Sequence, residues 1–160
     1  MIYTHELIFE DDSFVYSFKA NQSIKYTVSF SPSLWFLGNN VYEISIANGN
    51  YDIKNTAGYD ENLYFTIVAI ISDFFKRHAA VTVGYVCDSS DRQSRGKARA
   101  KLFLKWFDAA KHEDFIHLQG ITFLDEFNQE YHSGIIFQKD NPDKEQIQEN
   151  FYLLNQEYSK

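Results

Sequence analysis

Three arginines recur in one segment at a spacing that would place them on one side of a helix. Consecutive residues are about 100° apart round a helix, so Arg92, Arg95 and Arg99 share one sector of what we call the arginine helix. The same sector holds apolar residues that would face the protein interior: Leu102, Phe103, Trp106 and Ala110. Because a guanidinium stays protonated, inward-facing arginines need carboxylates, carbonyls or a ligand's phosphate to offset their desolvation. The spacing therefore predicts an anion-binding site.

A polar turn leads from an apolar strand, predicted over residues 81–86, into this helix. Free backbone N–H groups and the positive end of the helix dipole favour anions at such a turn. We expect Ser89 and Ser90 to bind the anion together with the three arginines. The residues expected to shape the turn are Tyr85, Cys87, Asp88 and Asp91.

A structural role for the arginines is the alternative. Carboxylates in the same turn or on neighbouring elements would then close buried ion pairs with them, and the candidates are Asp88, Asp91, Glu43, Glu126 and Glu130. Perturbed charge networks are often structural rather than functional. Both interpretations stay open from the sequence.

Charge favours a selective site over general binding to a polyanion. The net charge of −7 argues against a protein that coats nucleic acid, which needs clustered Lys and Arg. Six basic residues nevertheless lie between Arg92 and Lys105, with no acid after Asp91. This distribution predicts a local site for the phosphate of RNA or of a nucleotide. In an RNA-cleaving version, Tyr85 or a histidine would supply the acid–base chemistry.

Residues 93–98, Gln-Ser-Arg-Gly-Lys-Ala, resemble the Q/R-x-x-G-x-G/A loop that binds acyl-CoA in the acetyltransferase superfamily. This resemblance implies an acyl-CoA-dependent acetyltransferase as another function. In that superfamily a hairpin leads into the motif strand, whereas here a helix predicted over residues 60–78 precedes it.

Residues 83–107 also resemble small uncharacterised bacterial families known only as domains of unknown function. The resemblance is carried by Tyr85, Cys87, Asp88, Ser89, Asp91, Arg92, Arg99, Phe103, Trp106 and Phe107. Small bacterial proteins of this size often belong to toxin–antitoxin or defence loci, so such a role is implied by association. No activity comes with the resemblance.

A third function, from a different class, is a non-catalytic protein-interaction module. The apolar run at residues 33–38 lies in a predicted loop, and Trp35 and Phe36 would be its contact residues for a protein partner. The alternative is that this loop folds back and plugs the sheet, since aromatic side chains are usually buried.

Composition indicates a globular domain in a reducing compartment. The chain has 160 residues with 44% apolar and 18% aromatic residues, enough for one domain with a ring-rich core. The single cysteine, Cys87, excludes an internal disulfide, and no Cys/His spacing fits a zinc site. We therefore predict a single cytoplasmic domain over residues 1–160, without a cofactor, metal or membrane partner. The sequence does not determine the oligomeric state.

The fold class predicted is α+β, with a mainly antiparallel sheet, an N-terminal β meander and three helices packed on one face. The predicted elements, in order, are strands at 14–18, 24–30 and 41–46, a helix at 60–78, a strand at 81–86, the arginine helix, strands at 115–124 and 131–137, and a last helix after Pro142.

Overall fold

The computed structural model describes residues 2–34, 36, 38–48, 61–88, 105, 114–120, 123–124 and 130–158. Contacts divide the chain into two compact units. The first unit comprises Met1–Pro32 and Ile44–His78, and the second comprises Ser33–Glu43 and Ala79–Lys160. The single domain expected over residues 1–160 stays a prediction.

Three antiparallel strands begin the first unit. They are β1 (His5–Glu10), β2 (Ser13–Lys19) and β3 (Lys25–Pro32), with a 3-10 turn at Asn21–Ser23 before β3. Asp11 and Asp12 join β1 to β2 with φ angles of 47° and 61°. Two successive positive φ angles are typical of the type I′ hairpin turn, whose twist matches that of the strands. The hairpin of β2 and β3 was predicted, and its antiparallel pairing is confirmed.

Helix α1 (Glu61–Arg77) supplies the aromatic core of the first unit. The ring of Phe74 is fully buried and stacks on Phe30 of β3, with centroids 3.9 Å apart and planes 2° from parallel. Phe14 of β2 meets the edge of Phe74 at 5.5 Å. Lys76 and Arg77 lie in the last turn, where positive charge complements the helix dipole.

Strand β4 (Val41–Asn48) begins in the second unit and pairs in parallel with β5 (Thr82–Asp88) through Val41–Glu43. On its other edge β5 pairs antiparallel with β8 (Glu130–Gln138). Two further strands pair antiparallel with β8, namely β6 (Phe115–Gln119) and β7 (Phe123–Leu124). Since β5 has a partner on each edge, it is an inner strand, and the described strand pairs are mostly antiparallel.

Helix α2 (Lys144–Tyr158) packs in the second unit. Its Phe151 belongs to an apolar cluster whose other buried members are Phe36, Val41, Ile135 and Phe137. The buried Asn141 precedes the helix and accepts a 2.9 Å hydrogen bond from the backbone N–H of Asp143. A side-chain acceptor at this point satisfies an N–H group that has no partner inside the helix.

The prediction of three helices on one face is wrong, because the part of the chain that the structure describes contains two, α1 and α2. The third was predicted over the arginines, which lie outside the described residues. Neither described helix is long and apolar enough to cross a membrane.

Candidate functional site

Two side chains that carry proton-transfer chemistry meet in the second unit. The hydroxyl of Tyr85 on β5 lies 2.7 Å from Nε2 of His117 on β6, and which of the two donates depends on the histidine tautomer. Tyr85 is buried, with 2% of its surface exposed, whereas His117 is half-buried. The buried phenol thus orients an imidazole that solvent can reach.

Gly134 explains how this pair can form across a strand. In the sheet register Tyr85 is opposite Gly134 of β8, which is in turn opposite Gln119 of β6. The Tyr85 ring therefore crosses β8 to reach the strand beyond it. A Cβ on Gly134 would lie closer than 3 Å to the hydroxyl oxygen, Cζ and Cε1 of that ring. Only glycine leaves room for the tyrosine to lie flat on β8.

His117 also lines an open groove of about 400 Å³ in the second unit. The other lining residues are Leu118, Gln119, Phe151, Tyr152, Asn155 and Gln156. Amide groups, one imidazole and a phenol can all form hydrogen bonds. These side chains suit a ligand that carries polar hydrogen-bonding groups, such as a nucleobase or a sugar.

Most of the predicted anion site lies outside the described residues, including Ser89, Ser90, Arg92, Arg95 and Arg99, and so does Asp91. The strand that leads to it is described. Cys87 is paired with His132, and Asp88 is paired with Tyr131, at the carboxyl end of β5. The anion site expected after this strand stays a prediction.

Of the carboxylates considered as structural partners of the arginines, Glu43 is engaged elsewhere. Its Oε2 accepts hydrogen bonds of 3.1 Å from the Ser33 hydroxyl and 3.1 Å from the Leu34 backbone N–H. Asp91 and Glu126 lie outside the described residues. Glu43 therefore serves to anchor the loop that follows β3.

The same loop contains Phe36, one of the two residues of the predicted protein-binding surface. Phe36 is buried, with 6% of its surface exposed, and stacks on Phe151 with centroids 6.4 Å apart. A Cβ on Gly84 would collide with the Phe36 ring, so this glycine makes room for it. Phe36 is therefore part of the interior of the second unit, in agreement with the alternative that this loop folds back onto the sheet. It is not exposed for contact with a protein partner. Trp35 lies outside the described residues.

The first unit contains a charged cluster that the sequence did not reveal. Asp73 Oδ2 accepts hydrogen bonds from Tyr16 Oη at 2.9 Å and from Arg77 Nε at 2.7 Å. Burial raises the pKa of Tyr16, and Asp73 raises it further. Burial alone would raise the pKa of Asp73, but the hydrogen bonds from Arg77 and Tyr16 and the positive charges of Arg77 and His5 lower it overall. With two donors on one oxygen, Asp73 ties α1 to β2 and is not arranged as a reactive carboxylate.

The Tyr85–His117 pair itself was only partly foreseen. Tyr85 and the histidines had been considered for acid–base chemistry, but no one histidine was chosen. The register puts His117 opposite Ile136. Among the described residues, no group of three or more His, Cys, Asp or Glu side chains is placed to hold a metal ion.

A family profile matches residues 59–152, and its description is a family of unknown function, DUF6169. The match includes α1, β5, the predicted anion site, His117 and Gly134. No curated protein and no solved structure matches the sequence. The resemblance of residues 83–107 to a domain of unknown function is thereby confirmed. Since the profile covers more than half of the 160 residues, the chain belongs to this family of unknown function.

Proposed function

We propose that this protein binds a phosphate-bearing ligand, RNA or a nucleotide, at the segment that follows β5. Arg92, Arg95 and Arg99 bind the phosphate, and Ser89 and Ser90 contribute hydroxyl and backbone donors at the turn. The observation that supports the proposal most is the 2.7 Å hydrogen bond between Tyr85 and His117, because it joins β5 to a half-buried imidazole.

The imidazole of His117 gives this site a group for acid–base chemistry, since histidine is the side chain that most often transfers protons in catalysis. In an RNA-cleaving version, His117 takes the proton of a ribose 2′-hydroxyl, the 2′-oxygen attacks the neighbouring phosphorus, and the 5′-oxygen leaves with a proton from water. Tyr85 is a positioning residue in this scheme, since its buried hydroxyl holds the ring through Nε2.

The groove beside His117 supports a nucleic-acid ligand over free phosphate. Proteins recognise unpaired bases by stacking them on aromatic rings and by hydrogen bonds from polar side chains. Tyr152 is 58% exposed at the groove, and three carboxamide side chains line it: Gln119, Asn155 and Gln156. One nucleotide ligand would then place its base or ribose in the groove and its phosphate on the arginines.

Alanine substitution of the arginines tests the proposal. Arg95→Ala and Arg99→Ala are each expected to weaken binding of a short single-stranded RNA about tenfold or more, because a charge-assisted hydrogen bond contributes about 1.5–3 kcal/mol. The thermal midpoint of the free protein should stay nearly unchanged, since the missing partner is the ligand. Calorimetric titration gives the affinity, and thermal melts with RNA, nucleotides and inorganic phosphate give the stability.

Lys97→Ala and Lys101→Ala are the matched controls, because the sequence spacing alone predicts these lysines on the side opposite the three arginines. We expect them to weaken binding less than the arginine substitutions. If wild-type protein responds to none of the three ligands and the arginine variants lose about 3–5 kcal/mol of stability, the arginines are structural ion-pair partners and the proposal is wrong.

The other functions predicted from the sequence have less support. The burial of Phe36 removes half of the proposed protein-binding surface. Helix α1 precedes β5, which departs from the hairpin that leads into the acyl-CoA strand of acetyltransferases, and titration with acetyl-CoA would test that function directly. A role in a toxin–antitoxin or defence locus stays a prediction.

A further inference from the structure

Strand β1 is the outer strand of the first unit and carries exposed apolar side chains. The exposed fractions are 36% for Leu7, 51% for Ile8 and 62% for Phe9. Its partner is β2, and no described strand pairs with its other edge. An uncovered edge strand with apolar side chains invites pairing with another strand, and proteins usually block such edges.

The hairpin geometry determines which backbone groups of β1 point outward. Glu10 and Ser13 flank the two-residue turn and form its closing hydrogen-bonded pair. Inward and outward groups alternate along an antiparallel strand. The N–H and C=O groups of His5, Leu7 and Phe9 therefore point away from β2, where an added strand would bond to them.

We propose that the occupant of this edge is β1 of a second copy, paired antiparallel about a two-fold axis at Leu7. A two-fold axis perpendicular to a sheet pairs a residue with its own counterpart, and such a contact is self-complementary. With Leu7 opposite Leu7 of the second copy, His5 lies opposite Phe9 and Glu6 lies opposite Ile8.

Charge selects this register from its neighbours. A two-fold axis at Ile8 would place Glu6 of one copy opposite Glu10 of the other. An axis at Glu6 would place Glu6 of one copy opposite Glu6 of the other. Both registers bring like charges together. The register at Leu7 puts no two acids opposite each other along β1. It brings His5, which has a tilted ring contact with Tyr16 at 5.9 Å, next to the Phe9 of the other copy.

The side chains on one face of β1 extend an aromatic layer that is already buried. Leu7 is opposite the buried Tyr16, and the exposed Phe9 contacts Phe14 at a ring-centroid distance of 4.9 Å. A second β1 adds another leucine and another phenylalanine to this layer. Dimerisation would therefore cover the apolar surface that the monomer leaves in water.

Disulfide trapping tests the register, in a Cys87→Ser background because Cys87 is the only cysteine. Leu7→Cys is expected to give a disulfide-linked dimer under mild oxidation, because Cα atoms of a hydrogen-bonded pair lie about 5.5 Å apart, within the range of disulfides. Ile8→Cys is the matched control. In this register its nearest counterpart is diagonal, about 7–8 Å away, so little dimer should form.

Light scattering on unmodified protein gives an independent measurement. We expect a mass approaching twice 18.8 kDa as concentration rises. Leu7→Lys, which brings two like charges together, should return the protein to monomer, while Ile8→Lys, which faces Glu6, should not. A wild-type protein that stays monomeric at every concentration overturns the proposal, and so does a linked dimer that forms as readily through Ile8→Cys as through Leu7→Cys.

Discussion

Replacing Phe74 with alanine is expected to lower the free energy of unfolding by about 3–5 kcal/mol, as is typical for removing a buried phenylalanine. The ring is fully buried and stacks on Phe30 at 3.9 Å, with Phe14 at its edge. Its removal leaves a cavity in the aromatic core of the first unit that neighbouring rings cannot easily fill. Denaturant titration monitored by circular dichroism measures the loss.

Phe65→Ala is the matched control on the same helix, because Phe65 is 41% exposed and should lose much less stability. Equal losses for the two variants would contradict the orientation of α1 that the structure describes. An unchanged midpoint for Phe74→Ala would contradict the core itself.

Gly134→Ala is expected to separate Tyr85 from His117 and to destabilise the second unit. The added methyl group would overlap the Tyr85 ring, so the buried ring must move. Overpacking of a well-packed interior costs about 1–3 kcal/mol, and the hydrogen bond to His117 is lost as well. Denaturant titration gives the stability, and the pH titration of His117 by NMR reports the lost hydrogen bond.

A second substitution, Tyr85→Ala, shows whether the loss of stability comes from overlap between the new methyl group and the Tyr85 ring. Tyr85→Ala removes that ring. Gly134→Ala should therefore cost much less stability in the Tyr85→Ala protein than in the wild type. The difference is the coupling energy of a double-mutant cycle. Equal costs in both backgrounds would show that Gly134 does not make room for Tyr85.

Strands with a regular alternation were predictable from the sequence, and β1 was not. In β2 and β3 apolar and polar residues alternate because one face is buried, as at Tyr26, Val28 and Phe30. In β1 the run Leu7–Phe9 is apolar on both faces, so period-two alternation is absent. An exposed edge strand does not have to bury one whole face, so the alternation of apolar and polar residues that identifies strands is absent.

The strand predicted over residues 115–124 is two strands, β6 and β7, for a physical reason. Gly120 donates a 2.6 Å hydrogen bond from its backbone N–H to the carbonyl oxygen of Ser133. A Cβ at Gly120 would overlap Ser133, so the chain approaches β8 too closely for any other residue. An isolated glycine inside a strand pattern is the sequence signal that could have indicated this interruption.

The candidate site was less predictable than the fold, because Tyr85 and His117 lie on strands that are not neighbours. Sequence patterns indicate pairs on adjacent strands, and β8 lies between β5 and β6. Only the absence of a side chain at Gly134 allows the contact. The sequence feature that could have indicated this contact is a glycine within an apolar strand, with aromatic residues on the strands around it.

The most direct test of the proposed ligand site is an NMR titration of the five histidine side chains with single-stranded RNA. The proposal predicts that the His117 signals shift and saturate, while those of His5 and His78 in the first unit stay in place. Arg99→Ala should reduce the shift at an RNA concentration that half-saturates the wild type, because its binding is expected to be about tenfold weaker or more. An RNA titration that leaves His117 unchanged, or that moves the first-unit histidines equally, would contradict it.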